Sequence, residues 1–219
     1  MDDLSLKQMC DEIGLTQQQR VAFCARTALH RAVNEDDETA VIAAIDSLPA
    51  THVDAPLFVY LDAQGVTPLM LVSIYGYSCA VSALLSRGVS VNDATDTQGW
   101  TALFYACDNA HHDDAKHNSF ECAKLLLEAD GDVDQMCNSR CPPLIHACKS
   151  GNMQIVKLLS SYGANRTWPQ FTAESVARSY SIIHMVPAIV PWLERSRHWT
   201  PLHHLEQLTP PRRATNLIR

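Results

Sequence analysis

Residues 111–117 read HHDDAKH, three histidines and two aspartates in seven positions. Imidazole nitrogens and carboxylate oxygens are ligands for zinc and other divalent ions. Together with Asp108, the donors His111, His112, Asp113, Asp114 and His117 would make 108–117 a metal-binding loop. Such a site needs three or four donors held on one point. Adjacent histidines in a loop diverge, and no HExxH or comparable helical spacing orders these. The pattern favours a solvated polar loop, and no metal ligand is assigned.

The other reactive groups are eight cysteines, at 10, 24, 79, 107, 122, 137, 141 and 148. None forms a CxxC pair, so neither a zinc ribbon nor a thioredoxin-like site is indicated. Scattered cysteines in a reducing compartment are small buried thiols by default. No nucleophile elbow, phosphate-binding glycine loop or metalloprotease motif is present. The chain is expected to be noncatalytic and to take no cofactor.

Composition narrows the classes further. The 219 residues are 47% hydrophobic and 19% charged, ordinary for a folded protein, with a net charge of −7. That charge supplies no basic field for a phosphate backbone, so no nucleic-acid partner is expected. No apolar run approaches the ~18 residues that cross a bilayer. The N-terminus MDDLSLKQMCDEIG is acidic and lacks the features of a signal peptide, which predicts an intracellular, cytoplasmic location.

Internal periodicity reveals what positions the polar groups. GVTPLMLVSIYGYSCAVSALLSRGVSVN at 65–92 aligns with RCPPLIHACKSGNMQIVKLLSSYGAN at 140–165. Pro68-Leu69 falls on Pro143-Leu144, Gly76 on Gly151, Leu84 on Leu159 and Gly88 on Gly163, without a gap. Further copies begin with RTALHRAV at Arg26, GWTALFYAC at Gly99 and HWTPLHHL at His198. In each, a Thr such as Thr67 is a good helix N-cap, and Pro68 occupies the first helical position, where its missing N–H costs nothing. Gly76 ends that helix, a second apolar helix carries Val81, Leu84 and Leu85, and Gly88 ends the second. One such helix pair cannot bury a core alone, but a stack of them can.

These residues closely resemble the ankyrin-repeat family, whose signature begins T-P-L-H-x-A-A. Here it stands as TALHRAV, TPLMLVS, TALFYAC, PPLIHAC and TPLHHLE. The resemblance covers residues 26 to 219 and implies an all-α solenoid of five to six helix-turn-helix repeats, starting near 26, 65, 99, 140, 170 and 198. It is weaker across 171–197, where Glu174 takes the leucine position and only 28 residues separate it from Leu202. The hairpin there is expected to be short or absent, with Pro187 starting a displaced second helix. Residues 1–25 lie outside the repeats. SLKQ at 5–8 and TQQQ at 16–19 both fit a capping box, which predicts an N-terminal helical cap over the open end of the stack.

From Leu103 to Leu144 is 41 residues, longer than one repeat by the eight residues AHHDDAKH at 110–117. The surplus falls at the turn between two helices, where an insertion disturbs only a surface loop. Cys107 and Cys148 fill the small-residue seventh position of the motif, and Cys122 an apolar slot, so all three are expected to be structural. Cys137 and Cys141 flank a hairpin with no base or partner evident to activate either. The resemblance implies a structural hydrogen bond for His30 and His203.

It also implies a protein-binding concave face built from first helices and hairpin tips. Counting the motif Thr as one, position five gives Arg31, Leu71, Tyr105, His146, Val176 and His204; position eight gives Asn34, Ile74, Asp108, Lys149, Ser179 and Gln207. Leu71, Ile74, Tyr75, Trp100 and Tyr105, bordered by Asp108, His146 and Lys149, make the candidate partner-binding patch. Aromatic anchors ringed by polar groups characterise binding hot spots, although the same aromatics could instead pack between repeats. The expected function is a monomeric, noncatalytic scaffold for a protein partner, free of membrane and nucleic acid. The alternative is an adaptor or substrate-receptor module of a larger complex such as a ubiquitin ligase.

Overall fold

Thr67 and Pro68 start a helix in the way their residue types demand. The Thr67 hydroxyl accepts the Met70 N–H at 3.3 Å, and the Met70 sulfur accepts the Thr67 N–H at 3.4 Å, a reciprocal cap that satisfies two otherwise orphaned donors. The computed structural model describes residues 27–48, 65–108, 118–168, 171–184 and 188–203. The expected N-terminal cap at 1–25 and the insertion at 110–117 lie outside those residues, as do His204, Gln207 and Pro187.

Helix pairs follow one another along the chain. They are α1 (27–34) with α2 (Glu38–Ser47), α3 (Pro68–Ile74) with α4 (Ser78–Ser86), and α5 (Ala102–Asp108) with α6 (Ser119–Glu128). Then come α7 (Pro143–Ser150) with α8 (Met153–Ser161), and α9 (Ala173–His184) with α10 (Ile189–Arg195). Residues 201–203 open a further helical turn. The first helices α3, α5, α7 and α9 pack in succession as one layer, and α2, α4, α6 and α8 as the other. Leu29, Leu69, Leu84, Leu103, Leu126, Leu144, Leu159 and Leu193 all belong to one continuous apolar cluster between the layers. This all-α stack of helix-turn-helix pairs matches the solenoid expected from the repeats.

Three of the second helices begin at polar caps that the repeat pattern did not single out. Asp37, Asn118 and Asn152 accept backbone N–H groups in the first turns of α2, α6 and α8. The turns between paired helices are short where no insertion intervenes. Gly151 closes α7 in the left-handed region, at φ 80°, which glycine adopts without steric cost.

The loops between repeats are bonded to one another. The Asn92 side chain accepts the Asp132 N–H at 2.8 Å and donates to the Asp130 carbonyl at 3.1 Å. One repeat later, the Asp134 carboxylate accepts the Asn165 N–H at 2.9 Å. At the loop tips, the Asn138 backbone and side-chain N–H groups donate to the Gln98 and Thr97 carbonyls, at 2.9 and 3.0 Å. Gly99, at φ 67°, lies directly beneath that contact.

The C-terminal pair departs from the pattern. Its hairpin is short but present: Thr167–Trp168 pairs antiparallel with Phe171–Thr172, in the register Thr167↔Thr172 and Trp168↔Phe171. Thr172 and Ser175 then exchange side-chain-to-backbone bonds of 3.1 and 3.0 Å at the start of α9. Helix α9 runs 12 residues against the 8 of α7. The Arg166 guanidinium donates to the Leu193 and Ser196 carbonyls and the Ser196 hydroxyl while lying over the Trp192 ring.

A candidate protein-binding face

The candidate residues sit on three consecutive first helices and the loop that enters one of them. Thr101 places this group: its hydroxyl accepts the Phe104 N–H at 3.4 Å and its carbonyl accepts the Tyr105 N–H at 3.2 Å, which starts α5 just after Trp100. One turn into that helix Tyr105 emerges half-buried, and Asp108 ends it with its side chain 50% exposed. From α7, His146 projects back onto the same spot.

Four rings gather there. His146 meets Trp100 edge-on at 5.3 Å between centroids and Phe104 at 5.0 Å, and Trp100 meets Tyr105 edge-on at 5.3 Å. Trp100 also lies nearly parallel to Phe104 at 6.2 Å. Such pairs contribute roughly 0.5–1.5 kcal/mol each beyond the area they bury. His146 Nδ1 stands 3.5 Å from Asp108 Oδ1, attractive when the ring is protonated but too long for a strong hydrogen bond. The His146 side chain is 12% exposed, so the ring presents little more than an edge. The result is an aromatic platform with a carboxylate at its border.

The other predicted residues divide. Ile74 is half-buried at the end of α3, and Tyr75 follows it, stacked on Tyr77 at 6.3 Å and packed on the core. Leu71 is 7% exposed and belongs to the core. The helix that carries it, α3, packs against both α4 and α5. Lys149, in the last turn of α7, is half-buried one turn beyond His146. The anchor absent from the sequence prediction is Phe104, fully buried beneath the platform. It occupies the motif's histidine slot, so a large apolar residue there was the available signal.

The two motif histidines behave differently from one another. His203 Nδ1 is 2.8 Å from the Thr200 hydroxyl and accepts the Thr200 N–H at 3.2 Å, the structural role expected. His30 Nδ1 lies 3.1 Å from the Asn34 side-chain nitrogen, a hydrogen bond within α1.

The thiols also separate. Burial pushes Cys122 and Cys148 up to about 12 and Cys107 higher still, leaving all three inert packing groups. Cys79 is exposed, and its hydrogen bond to the Glu38 carboxylate raises its pKa. Cys137 and Cys141 face each other across a short turn, where Cys137 N–H donates to the Cys141 carbonyl at 3.1 Å. Burial raises Cys141 while Lys149 pulls the other way. Among the described residues no group of three or more histidine, cysteine or acidic side chains gathers as a metal site, and the histidines of 111–117 lie outside them. No helix among the described residues is long and apolar enough to cross a membrane.

The profile of the family described as Ankyrin repeats (3 copies) matches residues 29–117 and 112–205. Ankyrin repeat protein nuc-2 of Neurospora crassa is 26% identical over 152 residues, covering 65% of this chain and 14% of that protein. Ankyrin repeat and SOCS box protein 16 of Mus musculus is 34% identical over 100 residues, 46% of this chain and 22% of that protein. The B-cell lymphoma 3 protein homolog of Mus musculus is 28% identical over 168 residues, 73% of this chain and 36% of that protein. The chain thus spans well under half the length of each of these relatives. With the profile and the stacked helix pairs in agreement, the chain belongs to the ankyrin-repeat family, whose repeats serve as protein-interaction scaffolds.

Proposed function

We propose that this protein is a noncatalytic scaffold that binds a partner protein across its first-helix face, centred on Trp100, Tyr105, Asp108 and His146. The observation that carries this reading is the aromatic platform itself. Trp100 and Tyr105 reach the surface on rings locked by their neighbours, so little side-chain entropy is lost when a partner covers them. Ile74 and Tyr75 extend the patch on one side and Lys149 on the other. Asp108 and Lys149 supply charge at the rim, where it selects partners more than it adds affinity.

The test is affinity capture from lysate with wild type against Tyr105→Ala/Lys149→Glu, read by mass spectrometry. Because Tyr105 is half-buried, Asp108→Lys serves as a second variant at an exposed position, and circular dichroism confirms that each remains helical. A partner retained by wild type and lost by folded variants supports the face. Equal capture by all three removes it.

A second reading is favoured by one relative, the ankyrin repeat and SOCS box protein of mouse. In it the scaffold is an adaptor or substrate receptor within a larger regulatory complex such as a ubiquitin ligase. Co-purification of a ligase subunit with the full chain supports that reading, and its absence from captures that do retain a partner counts against it.

A further inference from the structure

The loop entering α7 turns within three residues, 138–140, flanked by Cys137 and Cys141. Cys137 N–H donates to the Cys141 carbonyl at 3.1 Å, and Arg140 N–H donates to the Cys137 carbonyl at 2.8 Å. Arg140 adopts φ 57°, which turns the chain back on itself. Residues that face each other across an antiparallel closure stand about 4.5–5.5 Å apart at Cα, inside the ~4.4–6.8 Å that a disulfide requires. The two residues are joined directly by that backbone bond, Cys137 N–H to Cys141 carbonyl. Their exposure differs, Cys137 being 4% exposed and Cys141 half-buried. One thiol can therefore be reached from solvent while the other waits behind it.

None of the other described cysteines has this arrangement. Cys107, Cys122 and Cys148 are buried on α5, α6 and α7, and Cys79 is engaged by Glu38.

We propose that Cys137 and Cys141 are a reversible dithiol–disulfide site, oxidised by a small disulfide of the glutathione class. The Cys141 thiolate attacks one sulfur of the oxidant, forming a Cys141–glutathione mixed disulfide and releasing one glutathione thiolate, which takes up a proton. Cys137 then loses its proton and attacks the Cys141 sulfur, forming the Cys137–Cys141 bond and expelling the second glutathione. The pair gives up two electrons and two protons, and one oxidised glutathione becomes two reduced ones. Partial burial raises the Cys141 thiol and slows the exchange, and the Lys149 ammonium offsets only part of that. Because the tip is bonded to Thr97 and Gln98 and leads through Pro142 and Pro143 into α7, the disulfide would pin the loop at the edge of the aromatic platform.

The experiment equilibrates the full chain over a series of reduced-to-oxidised glutathione ratios, then quenches with acid and blocks free thiols. Intact mass and tryptic peptides are read before and after reduction. Cleavage after Arg140 separates the two cysteines unless a disulfide joins them. The expected product has lost two hydrogens and yields joined peptides that separate on reduction, with circular dichroism unchanged. Cys137→Ser should instead accumulate the glutathione adduct at Cys141, and Cys141→Ser should leave residue 137 unmodified. A wild-type chain that ends as the Cys141 adduct, joins Cys79 instead, or stays fully reduced while still helical overturns the proposal. The wild-type result decides even if a serine variant fails to fold.

Discussion

Between the second and fourth helix pairs, each inter-repeat loop leans on the next through short amide and carboxylate side chains. Asn92 bridges to Asp130 and Asp132, Asn138 to Thr97 and Gln98, and Asp134 to Asn165. At the C-terminal end arginine side chains take over, with Arg178 of α9 paired to Glu194 of α10. Arg166 reaches across to the end of α10, where it serves the Leu193 and Ser196 carbonyls and covers Trp192. The centre is thus held by modest loop-to-loop contacts that repeat, and the C-terminal end by an arginine that gathers several helix-end groups, as Arg87 does for the Ile45 and Leu48 carbonyls nearer the other end. In a stack where each pair touches only its neighbours, damage at the two places should spread differently.

The largest effect is expected from the core. Leu144→Ala, at a fully buried position between central repeats, should cost about 2–5 kcal/mol and shift the main urea transition. Leu193→Ala, equally buried, should lower hydrogen-exchange protection of α9 and α10 while leaving α3 to α6 close to wild type. Uniform loss of protection in both variants would break the comparison.

Arg166→Ala should come next, at about 1.5–3 kcal/mol, since bonds from a charged donor to helix-end carbonyls are lost together. Arg166→Lys should recover little, because an ammonium cannot reproduce the planar fork. Thermal melts of the three proteins measure this.

Gly99→Ala tests the loop ladder. A Cβ there would lie 2.7 Å from Asn138 Oδ1, on a backbone at φ 67° that side chains rarely adopt. Strain of this kind costs about 1–3 kcal/mol, and loss of the 138–98 bond should appear as faster exchange of the Asn138 amide.

The smallest effect has the opposite sign. Burial raises the Asp134 carboxyl above the usual carboxylate range, so ionising it costs the folded state. That cost is present above its folded pKa and disappears as pH falls through that value. Asn92 shows that an amide can fill the same role one repeat earlier. Asp134→Asn should therefore stabilise the protein at neutral pH, with the advantage shrinking in acid, as urea midpoints over a pH series will show.

Much of the stack was legible beforehand because its signals are local. Thr67 and Pro68 declare a helix start, Gly151 a helix end, and the spacing of Leu69, Leu103 and Leu144 the recurrence of one unit. Cys107, Cys122 and Cys148 occupy positions whose burial follows from the same register. The candidate face was legible only in part. Tyr105, Trp100, Asp108 and His146 were expected near one another, but whether Leu71 reached the surface depended on how closely α3 meets its neighbours.

The sequence by itself determined the repeat, its caps and its turns, because each depends on residues within one helix pair. Tertiary structure alone decided which rings meet at His146, that Phe104 lies beneath them, and that Arg166 ties the C-terminal pair. The physical reason is one of range. A cap or a left-handed turn is set by atoms a few residues apart, whereas a ring contact depends on the stacking that brings distant side chains to a common point.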